Sequence, residues 1–121
     1  MVDYRITVKT SDIEDAGTDA NVYITLIGIS GNSGERQLDN DENNFEKNKT
    51  DLFRISANGL GDLSQVRIRH DDKNDYSGWH LEYITVQTEN ENPQKTWTFP
   101  CNRWLATDED DGAIDRTLSR A

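Results

Sequence analysis

Along this chain apolar side chains recur at every second position, and hardly anywhere at the three-or-four spacing of a helix. In "YRITVKT", Tyr4, Ile6 and Val8 alternate with Arg5, Thr7 and Lys9, and "NVYITLIG" repeats the pattern with Val22, Ile24 and Leu26 while Tyr23 and Ile27 make its second face partly apolar. Successive side chains of a strand point to opposite faces, so each run predicts a strand with one face on a core and the other in water. Residues 34–38 fit a short polar strand, "TDLFRIS" offers Phe53 and Ile55, and "LSQVRIRH" sets Val66 and Ile68 against Arg67 and Arg69. In "WHLEYITV" the alternation breaks between Leu81 and Ile84, the mark of a bulge. "TWTFPC" alternates Trp97, Phe99 and Cys101, and Pro100 assigns it to an edge or a strand end, because proline lacks the N–H that a central ladder needs. Residues 114–118 close the set.

Eight short strands without crossover helices predict an all-β fold, an eight-stranded antiparallel β-sandwich; parallel pairing would need connections of about a dozen residues or more. If consecutive strands reverse direction, alternate connections gather at the same end. One set contains Asp12, Glu14, Asp15 and Asp19, then Asp39, Asp41, Glu42 and Glu46, then Asp71, Asp72 and Asp75, then Asp108, Glu109, Asp110 and Asp111. The other set, "GISGNS", "SANGLGD" and "TENENPQ", contains only Asp62, Glu89 and Glu91. One pole is therefore expected to be strongly acidic and the other nearly neutral.

A length of 121 residues suits one compact domain over 1–121, and three Trp, four Tyr and three Phe close a thin core although only 33% of the residues are apolar. Met1 stands directly before the first strand pattern and reads as an added start on a domain excised from a larger protein. With 23 acidic against 13 basic side chains and net charge -10, the chain lacks the cation clusters that bind phosphate backbones, so no nucleic-acid partner is expected. Cys101 stands alone, which excludes a disulfide within the chain and a thiolate metal centre and suits a small buried hydrophobe. No stretch approaches the roughly 20 apolar residues of a membrane span, and no signal-peptide core opens the chain. A soluble, monomeric module is the expectation, with peripheral membrane association compatible and the compartment open.

Oxygen-rich loops converging from separate connections suit Ca2+, which takes six to eight oxygen ligands in irregular geometry. Zinc is disfavoured, since His70 and His80 are the only histidines, and neither "DEDDGA" nor "DDKNDY" has the EF-hand offsets. Catalysis finds no support: there is no G-x-S-x-G elbow, no P-loop and no H-E-x-x-H, and His70 beside Asp71 reads as a strand end. The chain is expected not to be an enzyme.

Three stretches in order, "YRITVKTSDIEDAGTDANVYITLIG", "HDDKNDYSGWHLEYITV" and "FPCNRWLATDEDDG", resemble the PLAT domain, the lipoxygenase-homology β-sandwich of polycystin, lipoxygenases, pancreatic-type lipases and clostridial alpha-toxin. The likeness runs from Tyr4 to about Leu118 and implies a C2-like role, with calcium bound by loops at one end and docking on lipid membranes or protein partners there. Residue by residue, it implies Asp15 and Asp19 as carboxylate ligands, Gly17 and Thr18 as carbonyl donors, Asn43 and Asn44 on a second loop, and Asp71, Asp72 and Asp75 on a third. Alpha-toxin-like members commonly have Asp at the position of Asn44, a departure that weakens the second of two ion positions; many relatives have Asn where this chain has Asp72, which keeps an oxygen donor. Asp108 to Asp111 are expected as outer field. The Gly17 position fits a backbone bend whose carbonyl faces the ion.

Neutralising an acidic tip would let exposed apolar side chains enter a headgroup region, and Ile13 and Tyr76 are the membrane-contact candidates. Phe45, Trp79, Trp104 and Leu105 resemble family positions that pack in the core. The expected function is a calcium-binding module that targets its parent protein to membrane lipid or a protein partner. Its alternative is a calcium-independent protein-interaction domain that binds through a sheet face. A glycan platform on Trp79, Trp97 or Trp104 ranks last.

Overall fold

The computed structural model describes residues 1–18, 20–39, 44–72, 78–91 and 93–121. Of the expected site positions, Asp19, Asn43, Asp75 and Tyr76 lie outside the described residues. The strands are β1 (Val2–Thr10), β2 (Val22–Gly28), β3 (Gly31–Asn32), β4 (Arg36–Leu38), β5 (Thr50–Ala57), β6 (Leu63–His70), β7 (Trp79–Thr88), β8 (Thr96–Leu105) and β9 (Asp115–Ser119). They form two sheets, one in the order β5-β1-β7-β8 and the other β3-β2-β6-β9, with β4 also on β2. Every recorded pairing is antiparallel. All eight expected runs are present, and β3 is the addition: two residues paired with Ile27 and Gly28. A two-residue ladder carries no period, so the hydrophobic pattern could not show it.

The alternation becomes burial with few exceptions. β5 strictly alternates exposed and buried positions, and Tyr4, Ile6, Val8, Ile24, Leu26, Ile68, Leu81, Ile84 and Phe99 form the space between the sheets. Each fully buried Val, Leu, Ile or Phe side chain stabilises the fold by about 1.5–3 kcal/mol relative to exposure. The phase break in β7 is a bulge: β1 pairs Lys9 with Tyr83 but Thr10 with Leu81, which leaves Glu82 as the extra residue. The same point is offset on β8, where Tyr83 faces Pro100 and Leu81 faces Arg103, and Asn102 takes a left-handed φ of 54°. Both Leu81 and Ile84 can then face inward. β8 lies at a sheet edge, as Pro100 requires.

The registers gather four connections at one end. Lys9 pairs with Thr50, Thr10 with Leu81, Trp79 with Leu105, Val22 with both His70 and Leu38, and Arg69 with Asp115. Segments 11–21, 39–49, 71–78 and 106–114 therefore emerge together, and these are the acidic ones.

Candidate functional site

The acidic end is held by backbone hydrogen bonds between connections that are far apart in sequence. Ser11 N–H donates to the His80 carbonyl at 3.1 Å, His80 N–H to the Ala16 carbonyl at 2.9 Å, Thr18 N–H to the Phe45 carbonyl at 3.0 Å, and Asp71 N–H to the Asn21 carbonyl at 3.1 Å. The first loop is thereby joined to the other two. Gly17 is required by this closeness: a Cβ there would stand 2.9 Å from the Phe45 carbonyl oxygen and 3.1 Å from Lys47 N. Two residues earlier, Asp15 takes the left-handed conformation, with φ 62°. Aspartate is among the few residues that tolerate that region.

Phe45 anchors the second loop. It is buried, its ring lies 5.2 Å from Trp79 and 5.6 Å from Phe53, and its N–H donates to Asp51 Oδ2 at 2.9 Å. Trp79 in turn donates from Nε1 to the buried Thr10 Oγ1 at 2.9 Å. Asp51 is 0% exposed, and its Oδ1 lies 3.2 Å from Lys49 Nζ. Sequence reasoning passed over Asp51, although the phase of β5 places it with the inward Phe53 and Ile55.

The expected ligand positions divide into engaged and disengaged groups. Asp71 grips the first loop, its carboxylate accepting from Asn21 N at 3.2 Å and from Asn21 Nδ2 at 2.8 Å. Asp72 takes φ 52° and donates its N–H to His70 Nδ1 at 3.0 Å. With Nδ1 accepting, the imidazole proton sits on Nε2, which donates to the Leu105 carbonyl at 2.6 Å. His70 is thus a buried brace for the third loop. Thr18 is buried, and its Oγ1 accepts from Ala20 N at 3.1 Å. Among the described residues, the Asp15 carboxylate and the Gly17 carbonyl take no hydrogen bond. Asn44 Oδ1 is fully buried and has no hydrogen-bond partner among the described residues. Ile13 is 40% exposed beside them.

Asp15 and Gly17 also line a cleft of about 270 Å³ with Gly78, Trp104, Asp108 and Glu109. This corrects one expectation. Trp104 does not pack in the core as Phe45, Trp79 and Leu105 do; it is half-buried on the cleft wall, edge-on to His80 at 5.2 Å. The "DEDDG" run divides into two pairs. Asp108 and Glu109 face the cleft, and their carboxylates have no ion-pair partner among the described residues. Asp110 and Asp111 are tied down: Arg103 Nε and Nη2 each lie 3.0 Å from Asp110, and Arg116 Nη2 lies 2.7 Å from Asp111. Arg116 reaches across to the Trp104 carbonyl at 2.7 Å as well. The Arg103 hydrogen bond holds the Asp110 carboxyl below the ordinary carboxylate range. The Arg116 hydrogen bond, helped by Ala113 N–H, lowers Asp111 to about 2. Burial pushes the His80 imidazole down against the opposing pull of Asp110 and Glu82, and Ser11 Oγ lies 2.7 Å from its Nδ1.

Among the described residues, no three His, Cys, Asp or Glu side chains converge closely enough to hold a metal ion by themselves. A hard cation here would have to draw on backbone carbonyls and the Asn44 amide as well, a donor mixture that Ca2+ accepts.

Comparison with known proteins gives one consistent answer. Residues 4–119 match the PLAT/LH2 domain. Lipoxygenase homology domain-containing protein 1 of Mus musculus is 46% identical over 121 residues, covering 98% of this chain and 6% of that protein. The chain thus spans only a small part of the curated relatives it matches. A calcium-dependent 11R-lipoxygenase of known structure is 27% identical with a TM-score of 0.75, over 99% of this chain and 17% of that one. Coral 8R-lipoxygenase, at 24% identity, shares the fold with a TM-score of 0.84 over 98% of this chain and 17% of its own. With residues 4–119, nearly its whole length, matched, this chain belongs to the PLAT/LH2 domain family.

Proposed function

We propose that this domain binds Ca2+ at its acidic end and, once neutralised there, targets its parent protein to a membrane lipid surface or a protein partner. The observation that carries this reading is Asn44 Oδ1, an acceptor buried without a donor beside the joint of two acidic loops. A buried polar atom left unpaired costs about 1–3 kcal/mol, and a cation that coordinates it would recover that cost. Asp15 and the Gly17 carbonyl stand disengaged on the first loop, which the Thr18–Phe45 backbone bond joins to the loop of Asn44, and the Thr18 carbonyl, Asp19, Asn43, Asp71, Asp72 and Asp75 complete the proposed donor set. The 11R-lipoxygenase that shares this fold is described as calcium-dependent, which supports the same chemistry. No enzymatic role is assigned to the domain.

Charge then couples the ion to docking. A tip carrying the Asp15, Asp108 and Glu109 carboxylates is repelled by anionic lipid, and bound Ca2+ removes much of that repulsion. Ile13, already exposed, and Tyr76 would supply the apolar contact. Calorimetric titration tests the first step: Ca2+ at 100 times its dissociation constant should add about 2.7 kcal/mol of stability and raise the melting temperature by about 10 °C. Absence of both binding heat and a melting shift at millimolar Ca2+ rejects the reading. Flotation with phosphatidylserine-containing vesicles tests the second step, and Ile13→Ser should weaken it while leaving calcium binding intact.

A further inference from the structure

Phe45 is an aromatic residue in the left-handed region, with φ 62°. For a bulky side chain that backbone is an outlier, because Cβ crowds the following carbonyl oxygen, and such conformations persist only where their surroundings over-determine them. Its own contacts restrain it. The ring packs on Phe53 at 5.6 Å and Trp79 at 5.2 Å, the carbonyl accepts from Thr18 N–H at 3.0 Å, and the N–H donates to Asp51 Oδ2 at 2.9 Å. With ring and carbonyl both anchored, the freedom that remains is rotation about the Phe45 N–Cα bond, which swings the preceding residue, Asn44. Asp51 stops that rotation by holding the N–H. In the conformation so held, Asn44 Oδ1 is buried without a partner among the described residues.

Packing does not call for an acid at this place. β5 buries Asp51, Phe53, Ile55 and Ala57 on one face, and Asp51 is the one carboxylate fully buried among the described residues. Burying a carboxylate is unfavourable unless it is paired, and Lys49 Nζ, partly exposed, lies 3.2 Å from its Oδ1. The ion pair keeps the group charged while Oδ2 receives the Phe45 N–H, and a charge-assisted hydrogen bond is stronger than a neutral one. Lys49 is itself tied to the loop, its N–H donating to the Glu46 carbonyl at 3.0 Å. An apolar side chain would fill the position without that bond, and the left-handed backbone would lose a restraint.

We propose that Asp51 is a positioning residue for cation binding: through the Phe45 N–H it holds the second loop in the conformation that turns Asn44 Oδ1 inward. The inference rests on the calcium reading above and adds to it a residue that touches no ion. Its effect follows from population, since apparent affinity falls in proportion to the fraction of molecules that hold the binding conformation.

Calorimetric titration with Ca2+ of the chain freed of metal by EGTA tests this, at a temperature where melting curves show each variant folded. Asp51→Leu, similar in shape but without an acceptor, should bind about tenfold more weakly, as expected when the binding conformation falls to about one molecule in ten. Asp51→Asn keeps a neutral acceptor for the Phe45 N–H and should lose affinity by a smaller factor, about threefold, because that bond is weaker but present. The Asn variant carries the test alone if the Leu variant does not fold. A merely structural role would lower the melting temperature and leave the dissociation constant of the folded protein unchanged. Folded Asp51 variants with the parent's calcium affinity would therefore overturn the inference and leave the calcium reading standing, whereas a parent without binding heat would overturn both.

Discussion

The two ends of this sandwich solve opposite problems. At the neutral end the connections are short and close on one another directly: Ile29 and Ser30 donate backbone bonds to the carbonyls of Asp62 and Leu60 at 3.1 and 2.9 Å. There Gly28 lies so close to the Leu60 carbonyl that a Cβ would overlap it. At the acidic end long connections of like charge are brought together, and a second set of interactions must hold them. Phe45, Trp79 and the backbone bonds of residues 11–18 supply it. Some acids are then consumed as structure, namely Asp51, Asp110 and Asp111, while Asp15, Asp108 and Glu109 are left without partners among the described residues. The difference teaches that the cluster is two populations. One builds the scaffold, and the other is kept available by it.

Four perturbations sharpen that contrast. Trp79→Ala, which removes the anchor of the acidic loops, should cost about 3–5 kcal/mol in denaturant unfolding, whereas Ile29→Ala at the neutral end should fall within about 0.5 kcal/mol of the parent. Next comes Gly17→Val, which drives a side chain into the Phe45 carbonyl and should cost about 1–3 kcal/mol. Its counterpart Gly59→Ala, with its nearest neighbour 3.8 Å away, should be close to neutral. A parent and a Gly17→Val variant of equal stability would remove the inter-loop contact from the account.

The third perturbation uses pH. The folded-state pKa of Asp111 is depressed to about 2 from an ordinary carboxyl value of about 3.9, so its stabilising contribution is present above about pH 4 and is lost as pH falls toward 2. Melting curves between pH 5 and pH 2 should therefore fall less steeply for Asp111→Asn than for the parent; parallel curves would show that the Arg116 pair contributes nothing. The smallest effect on stability is expected from Asp15→Asn, within about 0.5 kcal/mol because the carboxylate has no partner to lose. The same change should weaken calcium binding by calorimetry, which separates the available acids from the structural ones.

The fold was legible because burial follows period two so closely that only β3, too short for a period, escaped. Even the bulge at Glu82 showed as a lost phase between Leu81 and Ile84. The site was legible as a place but not as roles. Composition by connection placed the acids at one end, and the antiparallel registers bear that out. Nothing in the run itself, however, distinguishes Asp108 from Asp110, since the partners of Asp110, Arg103 and Arg116, arrive from β8 and β9. Trp104 misled for another reason: the inward phase of Trp97 and Phe99 runs on to the buried Leu105, so Trp104 falls on the opposite side of β8 and forms the cleft wall.

The amino-acid pattern by itself determined the strands, their inward faces and the gathering of negative charge at one pole, because each depends on periodicity and on the parity of reversals. Which carboxylates are neutralised, which stay available, and why Gly17 must be glycine were settled by long-range packing. Those outcomes depend on distances of about 3 Å between different connections and strands, as between Gly17 and Phe45, His70 and Leu105, or Arg116 and Asp111.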